Sequence, residues 1–354
     1  MFTHNANLVN LCNFAGLKFN SMKKFRFWLN NARPISLPQS LLPALTAVAL
    51  TYGQGSFSVI AAIASIIGVI ALHLGLNLMD DWYDYKVGSA EARQAVANEG
   101  FRGRMIKYPY LTSGEATPKE LLRAAVSFLS VAALMGLVVI AIRGCMTLAW
   151  MAAAIVVGLS YSGGPLKLGF RGFGELVIFI MFGPLMMTGV YWAITGSLDF
   201  KIVWLSTAVG FLVTNIVYSH SVLDAVPDAK MGKKTMAHLM GGPRGQIALS
   251  AIINTVPYLM VVAAVATRQL HVAYLAVLLV FPASLWLVRS LNDHVMGKET
   301  DLEPKKWMGN MGDWEKYKQA GIAWFLLRWL TARNIVTRFC LIIIVVNLIT
   351  SILK

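Results

Sequence analysis

Apolar runs of roughly 20 residues recur along this chain from about residue 35 almost to its last residue, and they restrict its fold more than any other feature. A helix of that length spans the ~30 Å of hydrocarbon in a bilayer. Nine runs stand out, at about 35–52, 56–79, 119–141, 145–162, 173–195, 200–222, 246–267, 271–291 and 335–353. They are continuous rather than alternating, so helices are expected and not a barrel. Of the 354 residues, 57% are hydrophobic and 14% charged, whereas a soluble domain carries about a quarter charged. The expected architecture is an all-α membrane protein: a bundle of nine transmembrane helices over residues 35–354, preceded by a cytoplasmic segment, residues 1–34.

A net charge of +14 could indicate nucleic acid, but the basic residues follow the expected topology instead. With nine spans, the N-terminus and the loops after even-numbered spans share one side. All but four of the 31 Lys and Arg residues fall there, the exceptions being Arg143, Lys201, Arg268 and Lys354. The positive-inside rule then puts the N-terminus in the cytoplasm and the C-terminus on the opposite side of an inner or plasma membrane. No nucleic-acid partner is expected. The three cysteines, Cys12, Cys145 and Cys340, match no metal or disulfide spacing. The first 21 residues lack the long apolar core of a cleavable signal. Met22 opens the basic lead-in MKKFRFWLNNARP, so translation is expected to start there, with the upstream segment dispensable.

The polar residues concentrate on the cytoplasmic side, in the segments 80–118, 224–245 and 292–334. The second run ends in NLMDDWYDY. If its helix continues, Asn77, Asp80, Asp81 and Asp84 fall at i, i+3, i+4 and i+7 and share a face. Close carboxylates repel one another, and charge at membrane depth is costly. A divalent cation relieves both, and hard Mg²⁺ prefers carboxylate oxygens and water. The plainer alternative is that the helix has ended and the acids are solvated at the interface.

A second cluster weighs against that alternative. The sixth run continues into YSHSVLDAVPDAKMGKKT, where His220, Asp224 and Asp228 share a face, Pro227 loosens the helix, and Lys230, Lys233 and Lys234 follow. Two acid-bearing helix ends on one side, with lysines after one of them, suit a Mg²⁺-bridged diphosphate. The intervening loop carries Lys86, Arg93, Arg102, Arg104 and Lys107, which also satisfy the positive-inside rule alone. The turn YSGGPLKLGFRGFG supplies Lys167, Arg171 and glycines that let a backbone approach a ligand or simply make turns. His73, His238, His271 and His294 form no metal-ligand set. In the segment 298–333, IAWFLLRWL is expected to lie on the membrane surface or lid a cavity.

From Asn31 to the last run the chain resembles the UbiA superfamily of intramembrane aromatic prenyltransferases, and within it the menaquinone branch, which acts on 1,4-dihydroxy-2-naphthoate. The segments that carry the resemblance are ARPISLPQSLLPAL, NLMDDWYDYKVG, LTSGEATP, YSGGPLKLGFRGFGEL and DAVPDAKMGKKT. The resemblance implies a nine-helix bundle whose cavity opens laterally to lipid. Two aspartate motifs face each other there and bind a polyprenyl diphosphate through Mg²⁺. The departing pyrophosphate leaves an allylic carbocation, which the aromatic acceptor attacks, with loss of carbon dioxide in the menaquinone branch.

Carried over by position, Asp80, Asp84, Asp224 and Asp228 are Mg²⁺–diphosphate ligands, and Asp81 is a ligand or lies beside one. Lys233, Lys167, Arg102 and Arg104 are diphosphate contacts. Asn77, Tyr161 and His220 are expected near the acceptor, with His220 as a candidate base. The chain departs from the family at Asp80, where asparagine is usual, and at Ala90, where a further acid is usual and Glu91 is adjacent. It departs again at His220–Leu223, where the branch commonly has asparagines and an arginine. These departures point to a second possibility, a different aromatic acceptor. A cation- or proton-coupled transporter is a third; against it, the acids sit at helix ends on one side rather than at the midplane.

Overall fold

A backbone in hydrocarbon must satisfy every N–H and C=O internally, and this chain does so with helices. The computed structural model describes residues 22–86, 108–163, 165–230, 232–298 and 301–353. The principal helices are α1 (Pro38–Leu50), α2 (Val59–Lys86), α3 (Pro118–Arg143), α4 (Met146–Ser162), α5 (Gly174–Thr195), α6 (Phe200–Leu223), α7 (Pro243–Ala266), α8 (Val272–Val295) and α9 (Ala323–Ile352). Among the described residues, seven of these are long and apolar enough to cross a membrane. The other two, α1 and α4, have 13 and 17 residues, which at 1.5 Å per residue reach roughly 20 and 25 Å. The chain is a multi-pass helical membrane protein.

Local chemistry sets the helix starts. Pro118 is the first residue of α3, behind a reciprocal cap in which Glu120 N donates to Thr117 Oγ1 (3.2 Å) and Thr117 N to Glu120 Oε2 (3.0 Å). Asp199 accepts from Ile202 N (3.0 Å) to open α6. Helix α6 is the centre of the bundle, with 61% of its apolar window buried, against 11% for the peripheral α3. Amide pairs act as glue where apolar packing alone gives little preference. Asn215 on α6 and Asn254 on α7 exchange hydrogen bonds of 2.8 and 2.9 Å, and Tyr258 on α7 bonds Ser284 on α8 at 2.8 Å.

Two boundaries matter for the site. Helix α2 does not stop at residue 79 but runs to Lys86, so its acids are helical and not in a solvated loop. Helix α9 begins at Ala323, well before the expected 335, and takes in most of IAWFLLRWL. That segment is therefore not a surface helix: Phe325, Leu327 and Leu330 are core residues. The buried Arg328 fixes it, donating to Ser290 O of α8 (3.1 Å) and to Trp324 O one turn back in its own helix (2.6 Å).

Helix α5 widens into a π-turn at Met181–Leu185, where Pro184 has no N–H to give. Gly183 in that turn meets Gly210 of α6 so closely that a Cβ would lie 2.5 Å from Gly210 Cα and 2.6 Å from Ser206 O. Both neighbours are backbone and cannot yield. Gly183→Val is expected to destabilise the protein by about 3 kcal/mol, read as a lowered thermal midpoint in detergent. Gly189→Ala in the same helix, whose Cβ would meet nothing nearer than 3.5 Å, should leave the midpoint unchanged.

Candidate active site

Helices α2, α4 and α6 end, and α5 and α9 begin, around one cavity of about 560 Å³. Its lining includes Asn77, Asp80, Asp81 and Asp84 from α2, Tyr161 from α4, His220 from α6 and Asp224 just past the end of α6. It also includes Lys233 from the loop beyond. These sequence-predicted residues lie together. Asp228 is fully buried but is not on the lining; it pairs with Lys233 at 3.3 Å. Lys167, in a left-handed backbone conformation, is likewise absent from the lining. Arg102 and Arg104, with Ala90 and Glu91, lie outside the described residues.

The first acidic group is held by a residue the sequence reading passed over. Arg33, just ahead of α1, reaches Asp80 at 3.1 Å, Asp81 at 3.2 Å and the Asn77 carbonyl at 2.7 Å. Burial alone would lower the guanidinium's pKa, but Asp81 and Asp80 outweigh it and hold the group above its ordinary value. Tyr110 donates to Asp81 (3.0 Å), and Ser162 donates to Asp80. The Tyr110 phenol is pushed up by burial and by the Asp81 charge, so it stays protonated and able to donate. Asn77 ties the same N-terminal strap to α2, donating to Ala32 O (2.9 Å) and Ser36 Oγ (3.1 Å).

The second acidic group sits at the break after α6. Asp224 and Asp228 are both 0% exposed. His220 Nε2 lies 3.3 Å from Asp224 Oδ2, and its ring stands edge-on to Phe325 at 5.2 Å. A left-handed glycine, Gly232 (φ 68°), turns the chain so that Lys233 N returns to Asp228 O at 3.0 Å. Lys234 N then donates to Phe170 O at 3.2 Å, joining this loop to the glycine-rich turn after α4. Gly169 and Gly174 of that turn pack on protein. A Cβ at Gly169 would lie 3.0 Å from Tyr161 O, and one at Gly174 would lie 3.1 Å from the Tyr161 ring. Tyr161 is thereby held on the cavity that Asp80, Asp84 and Glu175 also line.

Glu175, at the start of α5, is a cavity residue that sequence reasoning missed. It is 2% exposed and accepts from Ser221 Oγ (2.6 Å) and Met236 N (3.3 Å). The available signal was a lone acid one residue inside an apolar run, on the side where the other acids collect. The deeper walls are apolar, with Leu76, Ile178, Phe182 and Trp329 among them. Removing one partner of a buried ion pair leaves the other uncompensated. Arg33→Gln is therefore expected to lower metal-free stability by about 2 kcal/mol, a reduced figure because the pair is partly exposed. Adding Asp81→Asn should cost less than the sum of the two single changes, as measured by thermal unfolding of all three variants.

Known proteins share this architecture and sequence pattern. The UbiA prenyltransferase family model matches residues 40–301. The 1,4-dihydroxy-2-naphthoate octaprenyltransferase of Mycobacterium tuberculosis is 26% identical over 246 residues, covering 70% of this chain and 80% of that protein. The enzyme of the same name from Bacillus subtilis is 27% identical over 240 residues, covering 66% and 72%. A UbiA homologue from Archaeoglobus fulgidus, solved with GPP and Mg²⁺, superposes with a TM-score of 0.56 at 17% identity, over 87% of this chain and 99% of that one. The superposition shows a common fold. A family match over most of the length, together with relatives named as prenyltransferases, means that this chain belongs to the UbiA prenyltransferase family and is a prenyltransferase.

Proposed function

We propose that this protein transfers a polyprenyl group from a polyprenyl diphosphate to 1,4-dihydroxy-2-naphthoate, with loss of carbon dioxide. The bundle is read as nine spans with a cytoplasmic N-terminus, an opposite C-terminus and a cavity open to lipid. The observation that carries the reading is the convergence of two acid-bearing helix ends on one cavity whose deeper walls are apolar. Such a cavity suits a lipid with an anionic head. The relatives named for the naphthoate reaction support the acceptor.

The donor set fits Mg²⁺. Asp80, Asp84, Asp224 and Asp228 offer hard carboxylate oxygens, and among the described residues no three His, Cys, Asp or Glu side chains form a ready-made cage. That is the pattern for an ion held by one or two carboxylates on each side and completed by substrate phosphate. Bound there, Mg²⁺ would neutralise charge developing on the departing pyrophosphate. Lys233 then adds a cation beside the same oxygens, with Lys167, Arg102 and Arg104 as outer contacts. Asp81, engaged by Arg33 and Tyr110, holds the end of α2 in place. His220 orients Asp224. Asn77 and Tyr161 border the acceptor, and the apolar wall excludes water that would otherwise quench an allylic cation.

Purified protein given a polyprenyl diphosphate, Mg²⁺ and dihydroxynaphthoate should release pyrophosphate and form a prenylated, decarboxylated quinol. EDTA should abolish the reaction. Asp84→Ala and Asp228→Ala should each lower kcat by about 100-fold or more; full activity in either variant overturns the metal-clamp assignment. The acceptor is checked by mass spectrometry of quinones in a host lacking its own naphthoate prenyltransferase and complemented with this chain. A prenylated product from a hydroxybenzoate, and none from the naphthoate, would replace the acceptor while keeping the reaction class.

A further inference from the structure

One buried charge in the cavity is not used by the scheme above. Glu175 is 2% exposed, lines the cavity, and belongs to neither aspartate motif. A carboxylate withdrawn from water is costly unless it is paired or accepts several hydrogen bonds. Among the described residues no cation lies within ion-pairing distance of it. Lys233, the basic residue whose charge reaches it, is engaged with Asp228 at 3.3 Å. A side chain that merely tied α5 to α6 could be a neutral amide or hydroxyl, and the carboxylate therefore asks for a donor that is absent from the protein.

The geometry leaves room for such a donor. Oε1 accepts from Ser221 Oγ at 2.6 Å and Oε2 from Met236 N at 3.3 Å. An ionised carboxylate has about four lone-pair sites, so capacity remains on a group that is already oriented from two sides. Both fixing contacts come from elements next to the second acidic group: Ser221 follows His220, and Met236 follows the Lys233 loop. Tyr161 lines the cavity together with Asp80, Asp84 and Glu175, and Gly174, the neighbour of Glu175, packs on the Tyr161 ring, so Glu175 shares the chamber in which the donor's allylic carbon would be attacked.

We propose that Glu175 is the specificity-determining residue for the acceptor, its fixed carboxylate taking a hydrogen bond from a ring hydroxyl of the aromatic substrate. This assignment rests on the prenyltransferase reading above and names the chemistry that reading leaves open. A ring hydroxyl is a donor that the dihydroxynaphthoate acceptor carries, and donating it to a carboxylate enriches the ring that must attack the allylic carbon. An acceptor whose hydroxyl is blocked leaves the buried carboxylate short of its donor, which is how a polar site discriminates most strongly.

The test uses steady-state kinetics of the purified full-length protein, with acceptor and donor varied separately. The acceptors are dihydroxynaphthoate and its mono-O-methyl ethers. Glu175→Gln keeps the size and removes the negative charge; its oxygen can still accept from Met236 N while its NH2 donates to Ser221 Oγ. It should raise the acceptor KM by about 10- to 100-fold, leave the donor KM within about twofold, and shrink the preference for free hydroxyl over methyl ether. Glu175→Asp should recover part of that preference. Ser221→Ala, which loosens the carboxylate without removing it, should raise the acceptor KM by a smaller factor. Unchanged acceptor KM and unchanged hydroxyl preference in Glu175→Gln would overturn the assignment. So would equal losses for donor and acceptor with a fallen thermal midpoint, the signature of a purely structural tie. Absence of prenyl transfer by the wild-type protein would instead overturn the reading on which the assignment rests, and so the two failures are distinguishable.

Discussion

Charge at the end of a membrane bundle must be matched, and the rest of this structure is arranged around that need. Asp81, Asp84, Asp224 and Asp228 are all nearly or fully buried. Left alone, they would repel one another and drive water into the bundle. Arg33 answers Asp80 and Asp81, Lys233 answers Asp228, and His220 stands against Asp224. Each counter-group enters from a different piece of chain: a strap before α1, a glycine turn after α6, and α6 itself. The polar loops are therefore packed parts of the site, and the strap carrying Arg33 is bound to α2 by Asn77 and by a 2.9 Å contact between Ser36 and His73.

The same requirement explains how the cavity is divided. Its mouth is polar because the acids and their partners gather at the helix ends. Its depth is apolar because α5 and α9 turn side chains such as Ile178, Phe182 and Trp329 inward there. The π-turn at Met181–Leu185 lies on this deeper wall and brings Met181 and Phe182 to the lining.

Much of this was legible in the sequence, for a physical reason. Long apolar runs can only be helices in lipid, so the principal helices were readable from hydropathy, and the i, i+3, i+4, i+7 spacing put Asn77, Asp80, Asp81 and Asp84 on one face once α2 was seen to continue. Arg33 and Glu175 were not legible as site residues because each is a single charge with no periodic partner. Their meaning comes from a fold that brings Arg33 to Asp80 across 47 positions and Glu175 to Ser221 across 46. The last helix starts before 335 because two arginines ahead of the apolar run are accommodated inside it. In the fold Arg328 is satisfied by carbonyls of α8 and α9, and Arg333 reaches Asn310 O at 3.2 Å. The glycines after α4 were readable as turns, but not as the packing around Tyr161.

Arg33, Glu175 and Trp329 all border the same chamber, so its construction is spread over the time taken to synthesise the chain. Segments enter a membrane in order from the N-terminus, and the earliest ones form contacts first. Arg33 and the acids of α2 come from neighbouring segments and can neutralise one another as soon as α2 is inserted. Asp224 and Asp228 are made only later, together with His220 before them and Lys233 just after. The last wall, Trp329, arrives with the final helix. In chain order, then, Asp80 and Asp81 have their cation on a segment that precedes them and Asp228 has its own five residues later, whereas Trp329 brings the final helix to the chamber.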